Sequence, residues 1–124
     1  MHKLPSAQEV FDLVTNHLFT QGRPARIDDG RCRYRMAGGH RCAIGALIPD
    51  GMYKEEFEGD GAYRLIDNLY NLEIADWREH KKLLDQLQNI HDECSQTTVG
   101  AFNLIALEER LRAAAEHFSL EYRR

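Results

Sequence analysis

Three cysteines and six histidines are the residues of this 124-residue chain best suited to chemistry. Cys32, His40 and Cys42 fall in one short segment, and His91 and Cys94 stand three apart further on. Thiolate and imidazole ligands of this kind suit zinc. The spacing is not that of a zinc finger, since no Cys-x-x-Cys occurs, so buried structural thiols are the plainer reading. A structural zinc module on Cys32, Cys42 and Cys94 is the alternative. The dipeptide His91-Asp92, with His17, His80 and Asp67 or Asp85 elsewhere, suggests a second chemistry, in which His and carboxylate ligands hold divalent ions for nucleotide hydrolysis. Against it, a His-Asp pair is common and the remaining spacings match no fixed pattern. No Gly-x-Ser-x-Gly and no phosphate-cradling glycine loop occurs. If His40 and Cys42 share a strand face at i, i+2, they stand about 7 Å apart, too far for the imidazole to activate the thiol.

The most distinctive charged group is Arg31, Arg33, Arg35 and Arg41. Residues 32–36 and 40–44 each alternate, with glycines between them, which predicts a small β-hairpin over residues 31–45. A three-residue loop at 37–39 sets position 36 opposite 40. It puts Cys32, Tyr34, Met36, His40, Cys42 and Ile44 on one face and the four arginines on the other. Cys32 then opposes Ile44 and lies diagonal to Cys42 at about 7–8 Å, wide for a disulfide. Arg35 faces Arg41, a like-charge pair that something acidic must offset. The chain's own segment with Asp50, Glu55, Glu56, Glu58 and Asp60 can do so; the alternative is an external phosphate-bearing ligand or acidic surface. The acidic segment, with Tyr53 and Phe57 as aromatic anchors, is itself a possible contact surface. Tyr34 lies on the wrong face to stack bases beside the arginines, which disfavours single-stranded nucleic acid.

Helices must position these groups. Ser6 and Glu9 form a capping box ahead of Val10, Phe11, Val14 and Leu18, giving a helix over 6–21 stopped by Gly22 and Pro24. Further helices are predicted at 62–72 on Leu65, Ile66 and Leu69, and at 76–94 on Trp77, Leu83, Leu84, Leu87 and Ile90 with Asp76 as N-cap. A polar break at 95–98 precedes a helix over 99–118 with Phe102, Ile105, Leu107, Leu111, Ala114 and Phe118 inward. The expected fold is α+β and helix-dominant, about four helices packed on the hairpin, with residues 1–124 as one domain.

Composition agrees. The chain is 43% hydrophobic and 29% charged, enough apolar mass for one core and too short for two ordinary domains. The net charge of −4 argues against a general polyanion binder. It conceals a segregation, with residues 1–45 at +3, 46–76 at −6 and 77–124 at −1. No run approaches the ~18 apolar residues of a membrane span, and no leader pattern opens the chain, so a cytoplasmic protein with no membrane partner is expected. An odd number of cysteines suits reduced thiols.

The run Cys32-Arg33-Tyr34-Arg35, then Gly39-His40-Arg41-Cys42-Ala43-Ile44-Gly45-Ala46-Leu47-Ile48-Pro49-Asp50, then Tyr53 and Glu58-Gly59, resembles a family of small bacteriophage and prophage proteins. His17 to Gln21 and Leu87 to Asp92 resemble segments of the same family, so the likeness spans roughly residues 8–93. The resemblance implies a mobile-element origin and a bacterial cytoplasm, and carries over no catalytic residue. Together these observations predict a non-enzymatic accessory protein, with no cofactor, that binds a host protein or phosphate-bearing ligand in a counter-defence or host-takeover role. Its contact surface is Arg31, Arg33, Arg35 and Arg41 or Tyr53, Glu55, Glu56 and Glu58.

Overall fold

The computed structural model describes residues 1–26, 32–94 and 101–124. A short strand β1 (His2–Lys3) leads into α1 (Ala7–Gln21), then an irregular segment, α2 (Ala62–Asn71), a second short strand β2 (Ala75–Asp76), α3 (Lys81–Cys94) and α4 (Leu104–His117). The fold is helix-dominant α+β. Helix α3 lies at the centre, packed against α1, α2 and α4. One cluster of buried side chains runs from Val10 to Ala115 and takes in all four helices. No helix among the described residues is long and apolar enough to cross a membrane.

The capping logic of α1 holds in detail. The Ser6 hydroxyl accepts the Glu9 N–H at 3.3 Å, and Gly22 ends the helix at φ 71°, where its N–H closes onto the Leu18 carbonyl. The stripe Val10, Phe11, Val14 and Leu18 is buried, as are Leu65, Ile66 and Leu69 on α2 and Leu83, Leu84, Leu87 and Ile90 on α3. Each fully buried side chain of this size contributes about 1.5–3 kcal/mol.

Several expectations are corrected. The regular sheet is not the hairpin. It is β1 paired in parallel with β2, His2 opposite Ala75 and Lys3 opposite Asp76. Asp76 therefore belongs to β2 rather than capping α3, and a 3₁₀ turn at Arg78–His80 intervenes before α3 begins. Trp77, outside the helix, is still buried, and its indole N–H donates to His2 Nδ1 at 3.0 Å, tying the N-terminus down. Helix α4 starts at Leu104 because the Asn103 side chain accepts the Ala106 N–H. Ile105 is then 74% exposed instead of inward. The predicted break at 95–98 and the first residues of the predicted fourth helix lie outside the described residues.

The hairpin keeps its predicted register and loses its length. Arg35 pairs with Arg41, Met36 N–H reaches the His40 carbonyl at 2.8 Å, and Cys42 N–H reaches the Tyr34 carbonyl at 3.3 Å. Beyond Cys42 the alternation stops, since Cys42, Ala43 and Ile44 are all buried and a 3₁₀ turn forms at Gly45–Leu47. Cys32 consequently pairs with Arg26 rather than facing Ile44.

Candidate functional site

The segment after the hairpin folds back over it in two further 3₁₀ turns, Asp50–Met52 and Glu55–Phe57, and brings the acidic side chains onto the arginines. Arg33 pairs with Glu55, and its Nε lies 3.7 Å from Glu58. Asp50 Oδ1 bridges Arg35 at 3.0 Å and Arg41 at 2.9 Å. That single carboxylate resolves the cross-strand like-charge pair. Arg35 also donates to the Ile48 carbonyl at 2.6 Å and stacks over the Tyr53 ring at 4.7 Å. Arg31 lies outside the described residues.

Glu58 works differently from the rest. Its carboxylate accepts the backbone N–H of Tyr34 at 2.9 Å and of Arg35 at 3.2 Å, and the Tyr53 hydroxyl at 2.6 Å. Two consecutive N–H groups thus converge on one carboxylate at the bend of the chain at Tyr34. Burial, with the Glu58 carboxylate accepting its proton, pushes the Tyr53 hydroxyl up to about 12. The hydrogen bond from Arg33 holds Glu55 below the usual carboxylate range.

The depth order of these groups decides what the face presents. The side chains of Arg33, Arg35 and Arg41 are 30%, 17% and 33% exposed, whereas those of Asp50 and Glu55 are 81% and 75% exposed. Glu56 is exposed as well and makes no ion pair among the described residues. Carboxylates form the outer layer and guanidiniums the inner one. Of the two predicted aromatic anchors, Tyr53 is half-buried among these ion pairs and Phe57 is buried in the core.

Behind the hairpin a second polar group joins α1 and α3 to the irregular segment. Gln21 accepts the Arg41 N–H at 2.8 Å and donates to the Arg41 carbonyl at 2.9 Å, and His17 Nε2 donates to the same carbonyl at 3.0 Å. From α3, Gln88 accepts the Ile44 N–H at 3.1 Å and donates to Asp92 at 3.0 Å. His91, fully buried, accepts the Ala25 N–H on Nε2 at 3.1 Å. Its proton therefore sits on Nδ1, which donates to Asp92 Oδ1 at 2.9 Å. Breaking the Ala25 bond without replacement costs about 1–3 kcal/mol.

Among the described residues, the group whose ligand atoms come within 4.8 Å of one another is Cys32, His91 and Asp92. His17, His40, Cys42 and Cys94 are outside it, so neither the Cys32, Cys42 and Cys94 zinc module nor the His17, His91 and Asp92 set is assembled. Burial raises the thiols of Cys42 and Cys94, which favours their neutral form, and Cys42 Sγ accepts the Gly45 N–H at 3.3 Å. The glutamines were not singled out by sequence reasoning. Gln88 and Asp92 at i, i+4 were the available signal.

His17 gives a pH prediction. Burial is the largest cause lowering its pKa, with the charges of Arg41 and His91 adding to it against the Arg41 carbonyl bond. A folded value below the unfolded one means the neutral form is favoured by folding. That stability is present above about pH 6.5 and is lost as pH falls through the lowered value. Urea midpoints at pH 7 and pH 5 should differ by less in His17→Gln than in the wild-type chain. An unchanged gap would remove His17 as its source.

Comparison with protein-family models, curated proteins and solved structures finds no match.

Proposed function

We propose that this chain is a non-enzymatic binding protein whose contact surface is the carboxylate rim of Asp50, Glu55 and Glu56, directed at a basic surface on a host macromolecule. The layering of the face carries this reading. The arginines hold Asp50 and Glu55 in place from below, so acidic groups meet a partner with part of their ordering already supplied by the fold. An approaching phosphate would meet those carboxylates before any guanidinium, which disfavours nucleic acid and phosphate-bearing ligands as the partner. The likeness of the central block to small phage proteins supports a bacterial cytoplasmic setting and a role in modulating host machinery.

Amide shifts recorded while a short Lys/Arg-rich peptide is titrated into the full chain test the proposal. Shifts should concentrate at residues 50–58. Glu56→Lys should weaken the peptide about fivefold, the scale of one exposed charge pair, while Glu109→Lys on α4 should leave it unchanged. Shifts elsewhere, an indifferent Glu56→Lys variant, or a stronger response of Arg33, Arg35 and Arg41 to inorganic phosphate would overturn it.

A further inference from the structure

We propose that Cys32, His91 and Asp92 form a binding site for a zinc-class divalent ion, independent of the carboxylate rim. Cys32, bridged to Arg26 just ahead of the hairpin, supplies the thiol and the last turn of α3 supplies imidazole and carboxylate, with ligand atoms already within 4.8 Å of one another. A tetrahedral zinc with ordinary bond lengths needs its ligand atoms about 3.3–3.7 Å apart, so closure by about 1 Å suffices. His91 Nδ1 and Asp92 Oδ1, hydrogen-bonded at 2.9 Å, must instead part by about 0.5 Å if both ligate.

Ligand chemistry selects the ion. One thiolate, one imidazole and one carboxylate mix soft, borderline and hard donors, a set suited to zinc or cobalt and foreign to calcium or magnesium. Thiolate and carboxylate together balance the two positive charges, which makes the loaded site neutral where His91 is fully buried. Three ligands among the described residues are the protein count of an open zinc site.

Loading must alter the observed bonds of His91. A metal on Nε2 displaces the Ala25 N–H directly. A metal on Nδ1 takes the place of the proton given to Asp92 and leaves the ring proton on Nε2, where it points at the same N–H donor. Either way the Ala25 bond is given up. The exchange favours the metal, since one or two hydrogen bonds are traded for three bonds to a dication, two of them from anionic ligands, with the Cys32 thiol proton released to solvent. The ion would pin the hairpin to α3 alongside Gln88, which already holds Ile44.

Cobalt titration of the chelator-dialysed, reduced full chain, read by absorption, is the test. One equivalent should produce a thiolate-to-cobalt charge-transfer band. The band should vanish in Cys32→Ser, survive in Cys94→Ser, and require at least about tenfold more cobalt in Asp92→Asn. Because replacing buried His91 risks the fold, its part is read in the wild-type chain. Zinc should speed hydrogen exchange at the Ala25 amide while slowing it across residues 32–42. No band, a band that persists in Cys32→Ser, or an Ala25 amide equally protected with zinc would overturn the site. None of these results would touch the carboxylate rim, which the peptide titration reads separately.

Discussion

Replacing Gly45 by alanine should cost about 3 kcal/mol or more and leave the chain largely unfolded at moderate urea. Gly45 is buried, and a Cβ on it would stand 1.9 Å from the Tyr34 carbonyl oxygen, 2.8 Å from the Tyr34 carbonyl carbon and 3.1 Å from the Tyr34 Cα. These are backbone atoms, which cannot rotate aside as a side chain would. The carbonyl is also engaged, since it accepts the Cys42 N–H that closes the hairpin. Moving it would break that bond, pull Tyr34 from the core and disturb the two N–H groups held by Glu58. Gly38→Ala and Gly51→Ala are the controls, because an added Cβ at either meets nothing within 4 Å and neither position has positive φ. Both should fall within about 0.5 kcal/mol of the wild-type chain, or slightly above it in stability. Denaturant melts of the three variants decide the matter. A Gly45→Ala midpoint beside those of the controls would show that Tyr34 and Gly45 do not approach so closely.

The same position marks where sequence reading ran out. Helices α1 to α3 were legible because each buries one face, so Val10, Val14 and Leu18, or Leu83, Leu87 and Ile90, repeat at helical spacing. The hairpin register was legible because strand parity and the two glycines left one pairing, Arg35 with Arg41. Its short reach was not. The need for glycine at 45 arises from the backbone of Tyr34, eleven residues earlier, and no local pattern reports it. The β1 and β2 pair was invisible for another reason, since two residues are too few to show a period of two. Phe57 amid glutamates reads as a surface anchor, yet the 3₁₀ turn rotates it into the core while Glu55 and Glu56 stay outside.

For the site, charge segregation was enough to foresee that residues 46–76 could meet the arginines. It could not foresee which charge lies outside. That order depends on how the chain crosses the hairpin. The crossing carries Asp50 and Glu55 over the guanidiniums and sends Glu58 beneath to the backbone. Glu58 and Glu56 are two residues apart and chemically identical, and the fold gives them opposite tasks.

That contrast is measurable. Glu58→Ala should cost about 2–4 kcal/mol, whereas Glu56→Ala should stay within about 0.5 kcal/mol. The Glu58 side chain is only 13% exposed, so solvent replaces it poorly. Its loss strips the acceptor from Tyr34 N–H and Arg35 N–H together and leaves the Tyr53 hydroxyl with Glu55 alone, at 3.1 Å. A buried donor left without a partner costs about 1–3 kcal/mol, and partial entry of water keeps the two losses below their sum. Glu58→Gln is the sharper variant. Its side-chain oxygen can still accept one backbone N–H, but the amide nitrogen presents donors where the second N–H already points, so about 1–2 kcal/mol should be lost. Hydrogen exchange separates this account from a general loosening. Tyr34 and Arg35 amides should lose protection in Glu58→Ala, while Met36, which donates to the His40 carbonyl, should keep it. Equal loss at Met36 would mean that Glu58 supports the hairpin as a whole. Selective loss would establish that one carboxylate holds the bend at Tyr34 and Arg35 over which the outward rim of Asp50 and Glu55 is built.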